Sequence, residues 1–281
     1  MLGLSQNTTR FILALLYPLA PRRLPGLPGL WAALIRYWLV RPDPDAPFPP
    51  VEKAMKSPDG LLAIGGPLTV QRLIEAYPKG IIPFCHLPPM KWWAPVNRMT
   101  LVPEELHVEK NVRRLLRRRI YRVTFDEAFR DVITACKEPR QNKNPLTWIT
   151  DEIIEIYCQL FAEGYAHSVE VWDDQNQLVG GIYGVSIGRV FFNESQFSRI
   201  RDTSKLAMAY LNCHLHSWGY RVHDCMHFSP HLERQGARLI PRDEFCLLLN
   251  KWCEQQGHPG PWELDEDLDI AKWSTDILKK P

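Results

Sequence analysis

Residues 166–197 read AHSVEVWDDQNQLVGGIYGVSIGRVFFNESQF. Apolar residues alternate or run together over three stretches, and turn residues interrupt them. Asp174–Gln175 separates the first stretch from the second, and Ile187–Gly188 the second from the third. This pattern predicts three consecutive strands joined by tight turns. Just before them, TDEIIEIYCQLFAEGY (150–165) repeats apolar residues at helical spacing, with Thr150 as cap and Gly164 as stop. Just after, TSKLAMAYLNCHLHSWGY (203–220) reads as a helix capped by Thr203 or Ser204, and RVHDCMHF (221–228) as a further strand. PRDEFCLLLNKWCEQ (241–255) is the last substantial helix.

Upstream the alternation continues. VEKNVRRLLRRRIY (108–121) predicts a basic helix, RVTFD (122–126) a strand, EAFRDVITACKE (127–138) a helix and RQNKNP (140–145) a loop. Strand groups mixed with helices predict an α/β (α+β) domain over 99–258. Earlier still, SPDGLLAIGGPLTVQRLIEAYPKGIIPF (57–84) holds a helix from about 70 to 77 capped by Thr69, with Leu73, Ile74 and Tyr77 on one face. MKWWAPVNRMTLVP (90–103) adds two short strands about Pro95. Residues 47–98 are thus expected to form a small N-terminal lobe, and 259–281 a C-terminal tail.

Residues 1–46 differ in kind. RFILALLYPLA and LWAALIRYWLV are apolar, five arginines (10, 22, 23, 36 and 41) punctuate them, and no acid precedes Asp43. Each run is too short to span a bilayer. Three readings stay open: helices packed on the body, an arm on an anionic membrane surface, or a transit peptide. RPDPDAPFPP (41–50) follows as an extended linker.

The 281-residue chain carries 34 Lys and Arg against 32 Asp and Glu, so net charge names no partner and only local clusters count. Apolar content of 45% and charged content of 23% exclude a disordered chain. Seven cysteines, at 85, 136, 158, 213, 225, 246 and 253, form no CxxC pair. Reduced thiols in the cytoplasm are expected. VHDCMHFSPH (222–231) crowds three histidines, an aspartate and a cysteine. Ligands at i, i+2 and i+4 of one strand spread over roughly 13 Å, too far to share an ion without a bend. No metal is therefore expected. Asp224 is the sharper signal, since a carboxylate within an apolar strand must be paired or used.

The ordered motifs GLLAIGGPLTVQRLIEAYPKGIIPF, WWAP, YRVTFDEAF, TWIT, YAHSVEVWDDQNQLVGGIYGV, FFNESQFSR and DCMH…GARLIPRDEF run from about 47 to 247. In them the chain resembles the leucyl/phenylalanyl-tRNA–protein transferases. The resemblance implies a small lobe plus a larger GNAT-like (acetyltransferase-type) domain. It implies transfer of Leu, Phe or sometimes Met from aminoacyl-tRNA to the α-amine of proteins that begin with Arg or Lys, which marks them for degradation. It also implies no cofactor and no metal.

That chemistry suits the residues present. The aminoacyl ester is already activated, and the chain has no GxxxxGK[ST] loop for ATP. What remains is to position an amine and stabilise a tetrahedral oxyanion. By motif, Glu194 and Asp224 match the family's functional acids, and Trp93 and Trp148 its cleft aromatics. Ile182, Phe191, Asn193, Ser195, Gln196, Phe197, His223 and Met226 complete the expected substrate residues. His227 is a candidate base should the strand end before it. Lys110, Arg113, Arg114, Arg117, Arg118 and Arg119 form a basic patch suited to a tRNA acceptor stem; a solvated helix face is the plain alternative.

The chain departs from the family pattern at several positions. Met226 stands for a usual Gln, Gln196 for Met, His223 for Ile, Asn193 for Gly, and Pro67 for the Asp of GGDL. A pocket for Leu and Phe gains buried polar groups at a cost unless each finds a partner. Three readings follow: the family's transferase acting as a monomer, a relative that moves a more polar amino acid to a small-molecule or lipid amine, and an inactive module that binds aminoacyl-tRNA or an N-terminal Arg.

Overall fold

In a computed structural model the chain is described over residues 12–21, 23–138 and 146–276. It divides into two compact units. The first comprises Met1–Val96 with Lys137–Ile153, the second Asn97–Cys136 with Ile154–Pro281. The sequence reading drew a contiguous lobe over 47–98. The structure adds the arm and a returning segment to it, a long-range association that local patterning does not encode.

In the first unit, a helical turn at 12–16 precedes α1 (Leu27–Val40). Then come β1 (Leu61–Ile64), α2 (Val70–Ala76), β2 (Ile82–Pro83) and β3 (Lys91–Trp93), with the strands ordered β1-β3-β2 in an antiparallel sheet. Thr69 caps α2 as expected, its Oγ1 accepting from the Arg72 N–H at 3.2 Å. The core forms around Trp92, which is fully buried, donates from Nε1 to the Gly65 carbonyl at 3.0 Å, and meets the Phe48 ring edge-on.

The second unit is a seven-stranded sheet with helices. Its elements are β4 (Asn97–Leu101), α3 (Lys110–Arg118), β5 (Arg122–Phe125), α4 (Phe129–Lys137), α5 (Asp151–Ala162), β6 (Ala166–Trp172), β7 (Leu178–Ile187) and β8 (Val190–Ser198), with Lys137 of α4 and Asp151–Ile153 of α5 falling to the first unit. They continue as α6 (Thr203–Ser217), β9 (Val222–Asp224), α7 (Pro230–Arg234), β10 (Arg238–Pro241), α8 (Arg242–Trp252) and α9 (Ile270–Asp276). The spatial order is β10-β4-β9-β8-β7-β6-β5. Every pairing is antiparallel except β8 with β9, which run parallel through the α6 crossover. The fold class is mixed α/β, as the sequence predicts.

Most predicted elements appear within a residue or two. Thr150 Oγ1 accepts from the Ile153 N–H at 3.2 Å and starts α5. Gly164 ends that helix at φ +79, in the left-handed region open to glycine. Four readings change. The α6 cap is Asp202, because Thr203 spends its hydroxyl on the carbonyls of Val179 and Ile200. The turn after β7 follows Ile187 at Gly188, where φ is +59. The strand read over 221–228 lasts only from Val222 to Asp224. The segment read as a tail places Trp262 in the core, stacked on His167 at 3.9 Å and ringed by Phe125, Phe191, Trp218 and Tyr220. The loop predicted at 140–145 lies outside the described residues.

Candidate active site

The site in the second unit begins where two parallel strands part. β8 and β9 are paired only from Val190↔Val222 to Phe192↔Asp224. Beyond that point β8 runs on alongside β7 to Ser198. β9 instead turns away: Met226 takes a left-handed backbone at φ +66, and the chain bonds to β4 through Cys225 N–H to the Met99 carbonyl at 2.8 Å. Beyond Phe192↔Asp224 the two strands no longer pair with each other, each keeping only its outer neighbour.

Glu194 lies two residues past the last β8–β9 pair, and its position has a specific reason. The β7–β8 register steps from Tyr183↔Ser195 to Gly184↔Asn193, so Glu194 is the extra residue of a β-bulge. A bulge re-aims one side chain without ending the sheet. Glu194 is half-buried, between buried Asn193 and half-buried Ser195. Its charge reaches Tyr183, whose hydroxyl is pushed well above its ordinary pKa, by burial first and by Glu194 next.

Asp224 has a different environment. It is fully buried on β9 and clasped by Arg98 of β4. Arg98 Nε donates to Oδ1 at 2.9 Å and to Oδ2 at 3.0 Å, and Nη2 donates to Oδ2 at 2.7 Å. The Met226 N–H adds a fourth bond, to Oδ1 at 2.9 Å. Arg98 Nη2 also lies 3.0 Å from the Met226 sulfur, and its guanidinium carbon 5.1 Å from the Phe245 ring centre. Asp224 thus holds together β9, β4 and the turn at Met226. Sequence reasoning missed Arg98, although a cation within the apolar stretch NRMTLV was the same signal as the aspartate in its own strand.

The opposite face carries His223. It is buried against α6, its Nδ1 2.9 Å from Asn212 Oδ1 and its ring edge-on to Phe191. Burial drops its pKa from 6.5 to about 3, so it is neutral. His223 Nε2 and Asn193 Oδ1 are both buried with no hydrogen-bond partner, as is the Tyr183 hydroxyl. Ile182 faces Gln196 in the register and Gly181 faces Phe197, with Ile182, Phe191 and Phe197 buried. His227 follows the end of β9 and is exposed. Among the described residues no group of three His, Cys, Asp or Glu side chains is placed to hold a metal.

The predicted aromatics belong to the first unit. Trp93 Nε1 donates to the Phe84 carbonyl at 2.8 Å, and the Trp148 ring centre lies 6.0 Å from that of Phe84. Phe84 therefore links the two tryptophans. Tyr17 and His86 extend the cluster, their ring centres 4.2 Å apart.

The basic patch is a helix face. Val112 and Leu116 anchor α3 in the core, while Lys110, Arg114, Arg117 and Arg118 are exposed at i, i+4, i+7 and i+8. Arg113 is half-buried, and Arg119 leaves the helix as its left-handed C-cap. Elsewhere a groove of about 510 Å³ opens between Arg122–Glu127 and Pro261–Leu264. It contains none of the predicted residues.

The family model described as leucyl/phenylalanyl-tRNA protein transferase matches residues 100–250. A leucyl/phenylalanyl-tRNA–protein transferase of Alkalilimnicola ehrlichii is 45% identical over 235 residues, 83% of this chain and 90% of that one. One from Pseudomonas syringae pv. tomato is 49% identical over 213 residues, 75% and 91% of the respective chains. Among solved structures, FemX superposes on 55% of this chain and 64% of its own, with a TM-score of 0.42 and 14% identity. The family model and the two relatives define the class as an aminoacyltransferase. The chain belongs to the leucyl/phenylalanyl-tRNA–protein transferase family.

Proposed function

We propose that the protein moves leucine or phenylalanine from its aminoacyl-tRNA to the α-amine of proteins that begin with Arg or Lys. Support comes from one observation above all: relatives named for Leu- and Phe-tRNA match at 45–49% identity across most of the chain. The reaction is an acyl transfer. The amine attacks the ester carbonyl, the C–O bond to the tRNA ribose breaks, and the amine proton leaves for a base while the ribose oxygen gains one. The protein does this as a monomer. The substrates are those of the cytoplasm.

Within this reaction the two acids divide the work. Glu194, re-aimed by its bulge just past the end of the β8–β9 pairing, meets the incoming amine and accepts its proton or holds its charge. Asp224 is spoken for by Arg98 and by the Met226 N–H, so it positions the β9 end rather than taking the proton itself. Trp93 and Trp148, both in the first unit, keep the role of aromatic substrate contacts on the family motif alone. Lys110, Arg114, Arg117 and Arg118 meet the acceptor-stem phosphates. The test is transfer of labelled Leu or Phe from tRNA to an Arg-initiated peptide. Transfer well above ester hydrolysis in water supports the reading, and hydrolysis alone overturns it.

A second reading has its own observation. His223 Nε2 and Asn193 Oδ1 are buried and unpartnered on neighbouring strands, and Met226 supplies a thioether where the family carries an amide. A donor side chain with a hydrogen-bonding group would satisfy such atoms. A panel of aminoacyl-tRNAs distinguishes the readings: preference for Leu and Phe keeps the first, preference for a polar residue installs the second. Met226→Gln should raise Leu transfer severalfold if the first is right.

A further inference from the structure

The inward side of α1 is packed tightly. A side chain at Gly29 would place its first carbon 2.1 Å from the Ser57 carbonyl oxygen, so only glycine allows this approach. Ser57 Oγ donates to the Pro25 carbonyl at 3.0 Å, and the Tyr37 ring lies directly over Gly65. These contacts fix which side of the helix faces out.

That outward side is apolar. Trp31 is 62% exposed, Ile35 56%, Trp38 64% and Leu39 79%. At i, i+4, i+7 and i+8 they share about 100° of the helix circumference. Before them, Ile12, Leu15, Leu16, Leu19 and Leu24 are also exposed. Scattered exposed leucines need no explanation, but a stripe with two tryptophans does.

The charges beside the stripe select its occupant. Arg23, Arg36 and Arg41 are exposed, and no acid occurs before Asp43. Two copies meeting through this face would bring arginines against arginines. An anionic surface pairs with them instead. At 14 residues α1 is about 21 Å long, short of a roughly 30 Å hydrocarbon core, and no described helix is long and apolar enough to cross a membrane. A helix of this kind lies in the plane of the interface, tryptophans at headgroup depth and arginines on lipid phosphates.

We propose that the outward face of α1 binds the surface of an anionic phospholipid membrane through Trp31, Ile35, Trp38 and Leu39, with Arg36 and Arg41 on the phosphates. This contact places the enzyme without adding a step to its chemistry, so it stands apart from the choice of donor or acceptor. The full chain is to be sedimented with vesicles of phosphatidylglycerol and phosphatidylcholine in equal parts, and with phosphatidylcholine alone. About tenfold or stronger preference for the anionic vesicles is expected, weakening with salt. The paired substitutions Trp31→Ser with Trp38→Ser, and Arg36→Gln with Arg41→Gln, should each lose most of that binding. Retained transfer in solution, or an unchanged circular dichroism spectrum, shows that the variants fold. No sedimentation with anionic vesicles, equal binding to both vesicle types, or variants that bind like the parent each overturn the proposal. So does a dimer in lipid-free sedimentation that the tryptophan pair disrupts while vesicle binding persists.

Discussion

Arg98 and Asp224 are 126 residues apart in sequence and meet through three hydrogen bonds of 2.7 to 3.0 Å, both side chains buried. Register explains the meeting. Thr100 pairs with Asp224, and Arg98, two residues before Thr100, shares its face of the sheet. Removing one partner of such a pair leaves the other charge stranded, which costs far more than the pair contributes. Asp224→Asn is therefore expected to lower the unfolding free energy by about 3 kcal/mol in urea denaturation. Replacing both, Arg98→Met with Asp224→Leu, should recover more than half of that loss. A fully stable Asp224→Asn protein would contradict the clasp.

Glu194 should behave in the opposite way. It is half-buried where Asp224 is fully buried, so Glu194→Gln is expected to cost less stability than Asp224→Asn. Transfer to an Arg-initiated peptide should fall about 10²-fold, the scale of a lost general base. A readout at several pH values separates the roles: loss of the acidic limb of the rate profile marks a proton acceptor, whereas a uniform drop marks a binding group.

Two buried groups give stability an unusual pH dependence. His223 falls to about 3 through burial, so on acidification the unfolded chain takes a proton that the folded one refuses. Its share of stability is lost as pH drops from about 6.5 toward 3, about 5 kcal/mol in full. Glu170 rises to about 7, chiefly by burial, against the hydrogen bonds of Ser168 and Thr124 that favour its charged form. The folded chain keeps a proton that the unfolded one releases, so stability is lost as pH climbs from about 4.5 through 7, about 3 kcal/mol in full. The two oppose between about 4.5 and 6.5. Glu170→Gln should match the parent near pH 4 and exceed it by about 3 kcal/mol at about pH 8, read from urea midpoints.

The α3 face is testable through salt. Arg114→Gln with Arg117→Gln removes two exposed cations while sparing the anchors Val112 and Leu116. Affinity for aminoacyl-tRNA should fall, and the slope of log affinity against log salt should decrease by about 2. An unchanged slope would mark a solvated face that touches no phosphate.

The three-strand pattern of 166–197, the helices with their Thr69 and Thr150 caps, and the basic face of 110–118 could all be read from local spacing, because each is set by neighbours within a turn or a pleat. The motifs also sufficed to suggest the family that comparison then established. Tertiary structure decided the rest. That Asp224 is clasped by Arg98, that Glu194 is lifted on a bulge, that β9 ends after three residues, and that Trp262 fills the core all depend on partners tens of residues away. Alternation along one strand assigns a residue to a face, but only the neighbouring strand and the covering helix determine which group a carboxylate there meets.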